Sequence, residues 1–178
     1  MQEENNPYAT PEAPITLEKS QSVIDGPQGI GGWLILPILG LFVSLFLWAG
    51  QVYEVVQVIN SETWPALTEL NSDSYHYMWQ PILLFELVGQ ILFIPFGLFL
   101  CTQVFQKKSR TPKLFILLYI VLCVFVAIDT GMMAILARDI VELEDPSLFS
   151  DLIRSIVTLI VWGNYFHQSK RVKNTFVN

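Results

Sequence analysis

Four apolar segments, each close to the about 20 residues that a helix needs to cross a hydrocarbon core roughly 30 Å thick, dominate this chain. Inside lipid every backbone polar group has to be satisfied without water, and a single segment achieves that only as a helix. The expected spans cover about residues 33–58, 81–105, 114–137 and 148–167. Residues 33–50 carry no charge. The second span contains Glu86, Gln90 and Pro95, and the third is interrupted by Asp129 and Thr130. The fourth has the shortest clean apolar run, because Asp151 and Arg154 fall near its start. Hydrophobic residues make up 52% of the chain and charged residues 15%, which a soluble core of 178 residues would not require.

The placement of charge supplies the orientation. Lys107, Lys108, Arg110 and Lys113 lie between spans two and three, and Lys170, Arg171 and Lys173 follow span four. The loop between spans one and two has no Lys or Arg. Short loops rich in Lys and Arg stay in the cytosol, so both basic stretches belong there. If the fourth segment did not cross, the basic tail would share a side with Asp139, Glu142, Glu144 and Asp145. The expected fold class is therefore an all-α integral membrane protein with four transmembrane helices and cytosolic N and C termini. Residues 1–28, acidic and with four prolines, are expected to form a disordered cytosolic tail. The membrane domain is expected over 29–168 and a basic cytosolic tail over 169–178. The start of the chain lacks the basic and apolar character of a cleavable signal, so span one is expected to act as an uncleaved anchor. Trp64, Tyr75, Tyr77 and Trp79 on the outer side, with Trp33, Tyr165 and Phe166 on the inner side, fall where interfacial aromatics are favoured.

Two motifs bound the membrane domain. Gly26-Pro27-Gln28-Gly29-Ile30-Gly31-Gly32-Trp33-Leu34 opens span one, and Trp162-Gly163-Asn164-Tyr165-Phe166-His167-Gln168-Ser169-Lys170-Arg171-Val172-Lys173-Asn174-Thr175-Phe176 closes the chain. With four spans of this spacing, the chain resembles the bacterial multi-pass membrane proteins known as domain of unknown function 2569, over roughly 26–176. The resemblance implies four-span architecture and a bacterial inner-membrane location. It brings no reaction and no catalytic residues.

Ionisable residues inside spans are the sharpest chemical feature, since each costs about 2.5–3.5 kcal/mol near a helix centre and therefore wants a partner. Counted at 1.5 Å per residue, Glu86, Asp129 and Arg154 all come out in the outer third of the membrane. Arg154 is expected to pair with Asp129, Glu86 or both. Such a cluster is either a packing latch or an ion or substrate site with one carboxylate left to titrate, and Gln90, one turn from Glu86, would extend it. Glu54 falls at the outer end of span one and is expected to be solvated.

The turn Gly29, Gly31, Gly32 and Trp33 is expected to set a tryptophan at the interface rather than to cradle phosphate, because no strand precedes it and no Lys-Ser/Thr follows. Lys107, Lys108, Arg110, Lys113, Lys170, Arg171 and Lys173 form a cytosolic basic surface that orients the protein and can attract anionic lipid. Cys101 and Cys123 differ in depth and are not expected to form a disulfide. His76 and His167 fall on opposite sides, so no metal site is expected, and neither a cofactor nor a nucleic-acid partner is implied. No nucleophile elbow or HExxH motif is present.

The leading expectation is a non-enzymatic structural or accessory membrane component, with the lipid bilayer and a membrane protein or second copy as partners. Gly40, Ser44, Gly89, Gly97, Gly131 and Ala134 would let helices approach closely. The alternative is a small oligomeric transporter or ion-conducting protein that uses the intramembrane carboxylates.

Overall fold

The computed structural model describes residues 26–140 and 146–178. The expected acidic tail and Glu142, Glu144 and Asp145 lie wholly or largely outside them. Each apolar segment is a helix. A 3-10 turn, Gly32–Leu34, leads into α1, Ile35–Ile59. A short helix α2, Thr63–Thr68, precedes α3, Trp79–Phe105, and α4 spans Thr111–Asp139. A second 3-10 turn, Pro146–Phe149, opens α5, Ser150–Gln168, and the chain closes with α6, Lys170–Thr175. Among the described residues there is no strand. Helix α3 runs through Pro95 without interruption.

Three of these elements, Gly32–Ile59, Trp79–Phe105 and Thr111–Asp139, are long and apolar enough to cross a membrane. Helix α5 has 19 residues, about 28 Å of rise, and is less apolar because Asp151 and Arg154 occupy its first turns. The outer surface is apolar on every long helix. Phe46 on α1 is 79% exposed, and Leu92 on α3, Val124 on α4 and the stripe Ile153, Val157, Ile160 on α5 are bare as well. On the three longest helices, apolar residues exposed to this extent are what lipid covers.

Side-chain pairs define the topology. Phe42 lies beside Phe105 and Trp48 beside Phe93, so α1 and α3 are antiparallel. Phe85 stacks on Phe125 at 4.5 Å, while Thr111 at the start of α4 donates to the Gln103 carbonyl near the end of α3. Phe115 stacks on Phe166 at 4.7 Å and Ser155 reaches Cys123, so α5 returns antiparallel along α4. The helices form a row in which α1 packs on α3, α3 on α4 and α4 on α5. Helices α1 and α5, at its two ends, are not closely packed on each other.

Close approach depends on two of the expected small residues and not on two others. Gly97 admits Leu45 and Trp48 of α1, and Gly89 admits the Phe125 ring of α4. Gly40 and Gly131 face open space. The difference is azimuthal, because small size permits contact but only the helix face decides where contact falls.

One end of the row is sealed. Helix α6 tucks beneath it, and Val172 and Phe176 are buried with Leu34, Phe115 and Phe166. Phe166, expected at the interface, is thus a core residue: its place one helix turn from Trp162 turns it onto Phe115. Ser169 caps α6 by accepting from the Val172 amide. The last residue, Asn178, ties this end to the α3–α4 turn through its amide to the Lys107 carbonyl and its carbonyl to the Ser109 amide. At the opposite end, His76 and Tyr77 both reach the Asp139 carboxylate at 3.3 Å. Met78, Ile82 and Leu136 make a small core beneath them. Both cysteines are free.

Candidate polar cavity between the helices

Helical periodicity puts polar residues of four elements on the concave side of the row. On α3, Glu86, Gln90 and Phe93 recur at four and three residues, one helix face; on α4, Val126, Asp129, Thr130 and Met133 do the same. Together with Trp48 and Gln51 of α1 and Asp151 of α5, they line a cavity of about 480 Å³. Glu86 is about 10 Å along α3 from Trp79, and Asp129 about 15 Å along α4 from Asp139, so the cavity occupies the half of the bundle nearer the His76–Asp139 end. The sealed core of Leu34, Phe115 and Phe166 separates it from the basic end.

The cavity is electronegative. Glu86 and Asp129 are close enough to interact through their charges, and so are Asp129 and Asp151. No Lys, Arg or His is among its lining residues. Two polar atoms there also lack a hydrogen-bond partner among the described residues: the Gln90 Oε1 and the Asp129 Oδ1, both buried. Gln90 is only 7% exposed. A buried acceptor needs a donor, so both atoms are placed to accept a hydrogen bond from what occupies the cavity.

The expected pairing of Arg154 with Asp129 or Glu86 is not what the structure contains. Arg154 donates from Nη1 to Asp151 Oδ1 at 2.8 Å, one turn back on its own helix, and its side chain is 76% exposed. Counting residues from a helix end gives depth but not the angle about the axis, and Arg154 has the depth without the angle. Its neighbour Asp151 lines the cavity instead. Asp151, Gln51 and Thr130 were not in the expected cluster. The four-residue step from Val126 to Thr130, and the one-residue step from Asp129, carried the signal for Thr130. Nothing in the linear sequence joins Gln51 and Asp151 to it.

The two sequence motifs meet at the sealed end. Gly29 and Gly32 adopt positive φ, 81° and 55°, and the turn leaves Trp33 exposed at the start of the α1 segment. A Cβ on Gly31 would come within 2.7 Å of Arg171 Nη1, and Thr175 donates to the Gly29 carbonyl at 3.2 Å. Arg171 is therefore a packing residue, half-buried over the glycine turn, while Lys107, Lys108, Arg110, Lys113, Lys170 and Lys173 are exposed around it. Among the described residues, no three His, Cys, Asp or Glu side chains are grouped to hold a metal ion.

An all-helical chain with three helices long and apolar enough to cross a membrane is, by class, a helical membrane protein. More particularly, the chain belongs to the family described as Protein of unknown function (DUF2569), whose model matches residues 27–177 and so takes in both motifs but for Gly26. No curated protein and no solved structure matches it.

Proposed function

We propose that the protein is a four-span membrane protein of the bacterial inner membrane, with both ends in the cytosol, that moves a positively charged solute and is not an enzyme. The observation that carries this reading is the pair of acceptors without a donor among the described residues, Gln90 Oε1 and Asp129 Oδ1, in a cavity that Glu86 borders and that no described basic residue lines. A latch would have brought Arg154 into the cavity, and Arg154 is turned away. Glu86 and Asp129, which have no basic partner among the described residues, favour a cation arriving from outside the protein.

Support for the fourth span comes from α5, which follows α4 along the bundle and exposes an apolar stripe through Ile153, Val157 and Ile160. The basic residues collected at the sealed end support its cytosolic orientation. Single cysteines at Ser74, Ser109 and Ser150, in a Cys101→Ala/Cys123→Ala background, check this with a membrane-impermeant thiol reagent on intact cells. Ser74→Cys and Ser150→Cys are expected to label from outside and Ser109→Cys only after permeabilisation. Labelling of Ser150→Cys solely after permeabilisation would remove the fourth crossing.

Transport is tested on reconstituted vesicles by recording current after a concentration jump of protons, sodium, potassium or a small organic cation. Current with at least one of these, reduced to background in Glu86→Gln while that variant stays monodisperse, is the expected result. Absence of current with every cation returns the protein to a structural or accessory role. That second reading has its own support in an apolar groove of about 430 Å³ between α3 and α4, lined by Val88, Leu92, Val121 and Val124, where another membrane component could lie.

A further inference from the structure

Building on the solute-binding reading, we infer that the cavity takes an organic ammonium ion rather than a bare metal ion. Its volume, about 480 Å³, lies within the roughly 300–1,000 Å³ of small-molecule sites and far exceeds what a dehydrated metal ion fills. The carboxylates surround this volume without converging: no three acidic, His or Cys side chains among the described residues are grouped for one metal. A metal ion needs several oxygens at about 2.0–2.6 Å, whereas a bulky cation is satisfied by negative charge distributed around it.

The walls between the carboxylates are aromatic. Trp48 and Phe93 lie with ring centroids 5.4 Å apart, and Phe125 meets Phe93 edge to face at 5.1 Å. All three border the cavity. Aromatic faces attract cations that have weak hydration, and quaternary and alkylated ammonium groups are the cations with which they compete best against water. The buried Gln90 Oε1, 7% exposed as a residue and without a donor among the described residues, supplies an acceptor for an N–H of a protonated amine. Helices α1 and α5 are not closely packed on each other, whereas the core around Phe115 and Phe166 fills the opposite end of the row.

The experiment uses the full chain in nanodiscs of zwitterionic lipid, titrated calorimetrically with tetraethylammonium and, separately, with sodium and potassium. Saturable tetraethylammonium binding is expected, weakened about tenfold or more in Asp129→Asn and weakened also in Trp48→Leu, with both variants monodisperse. Tetraethylammonium binding that neither substitution alters would place the ligand elsewhere and overturn the inference. Sodium or potassium binding that depends on Asp129, without tetraethylammonium binding, would overturn the organic class and leave the transport reading standing. A folded protein that binds none of the three overturns both. Methylammonium and Gln90→Leu serve as the second pair: loss of methylammonium binding with tetraethylammonium binding retained is expected, because only the former has N–H groups to donate, and equal effects on both would remove Gln90 from ligand contact.

Discussion

Asp129→Asn is expected to raise the thermal stability of the purified protein by about 2–8 °C, while weakening cation binding about tenfold or more. The effect is electrostatic. Asp129 lies within charge range of both Glu86 and Asp151, and its Oδ1 is buried without a donor among the described residues. Removing that charge relieves its repulsion by Glu86, Asp151 being paired with Arg154, and replaces a pure acceptor with an amide that can also donate. Relief of about 1–2 kcal/mol, taken at about 2–4 °C per kcal/mol for a chain of this size, gives the expected range. A structural latch predicts the opposite sign, because deleting one partner of a buried ion pair leaves the other uncompensated. The control is Arg154→Ala. Its pair with Asp151 is exposed and one turn apart, an arrangement worth only about 0.2–0.5 kcal/mol, so little change is expected. Severe loss in Arg154→Ala that Asp129→Asn rescues would show the two residues to be coupled, and would overturn the separation described here.

The second large effect is expected at Gly89. Alanine there puts a methyl group into the Phe125 ring, which is boxed in by stacking on Phe85 at 4.5 Å and by its edge contact with Phe93. Replacing glycine by alanine in a helix ordinarily gains about 1 kcal/mol in propensity, and overpacking costs about 1–3 kcal/mol. At Gly89 the overpacking dominates, since the Phe125 ring can yield only by breaking its stacking on Phe85 and its edge contact with Phe93. A net fall in stability is expected, and the α3–α4 contact should separate, altering the cavity wall that Phe93 and Phe125 form. Gly131→Ala meets nothing within 4 Å on the next helix and should be neutral or mildly stabilising. Thermal denaturation of the two variants in the same detergent makes the comparison, and Phe125→Leu should restore stability to Gly89→Ala. Equal behaviour at Gly89 and Gly131 would mean that close packing at Phe125 does not hold the helices together.

The positions and lengths of the long helices were legible because they depend on quantities that add along the chain. Apolar length must match bilayer thickness whatever the tertiary packing. Glu86, Gln90 and Asp129 were likewise legible as residues in need of an explanation, since a polar side chain in a long apolar run is costly wherever the helix points. The partner assigned to them was not legible. Arg154 shares their depth, which residue counting yields, but packing of α5 against α4 sets its angle, and that angle turns the guanidinium to Asp151 and away from the cavity.

Similar reasons separate Gly89 and Gly97 from Gly40 and Gly131, and remove Phe166 from the interface to the core. All are questions of which face meets which neighbour, and a nearly uniform apolar helix has no periodicity in its sequence to answer them. The joining of the two terminal motifs through Gly29, Gly31, Arg171 and Thr175 is a contact between positions far apart in the chain, invisible to any local pattern. By itself the sequence determined that the chain forms long apolar helices, where they begin and end, and that carboxylates lie within them, because hydrophobicity and backbone satisfaction act segment by segment. Only the tertiary structure decided that Glu86 and Asp129 border one cavity with aromatic walls and that Arg154 pairs with Asp151 instead of with them, because helix rotation and neighbour choice are properties of packing.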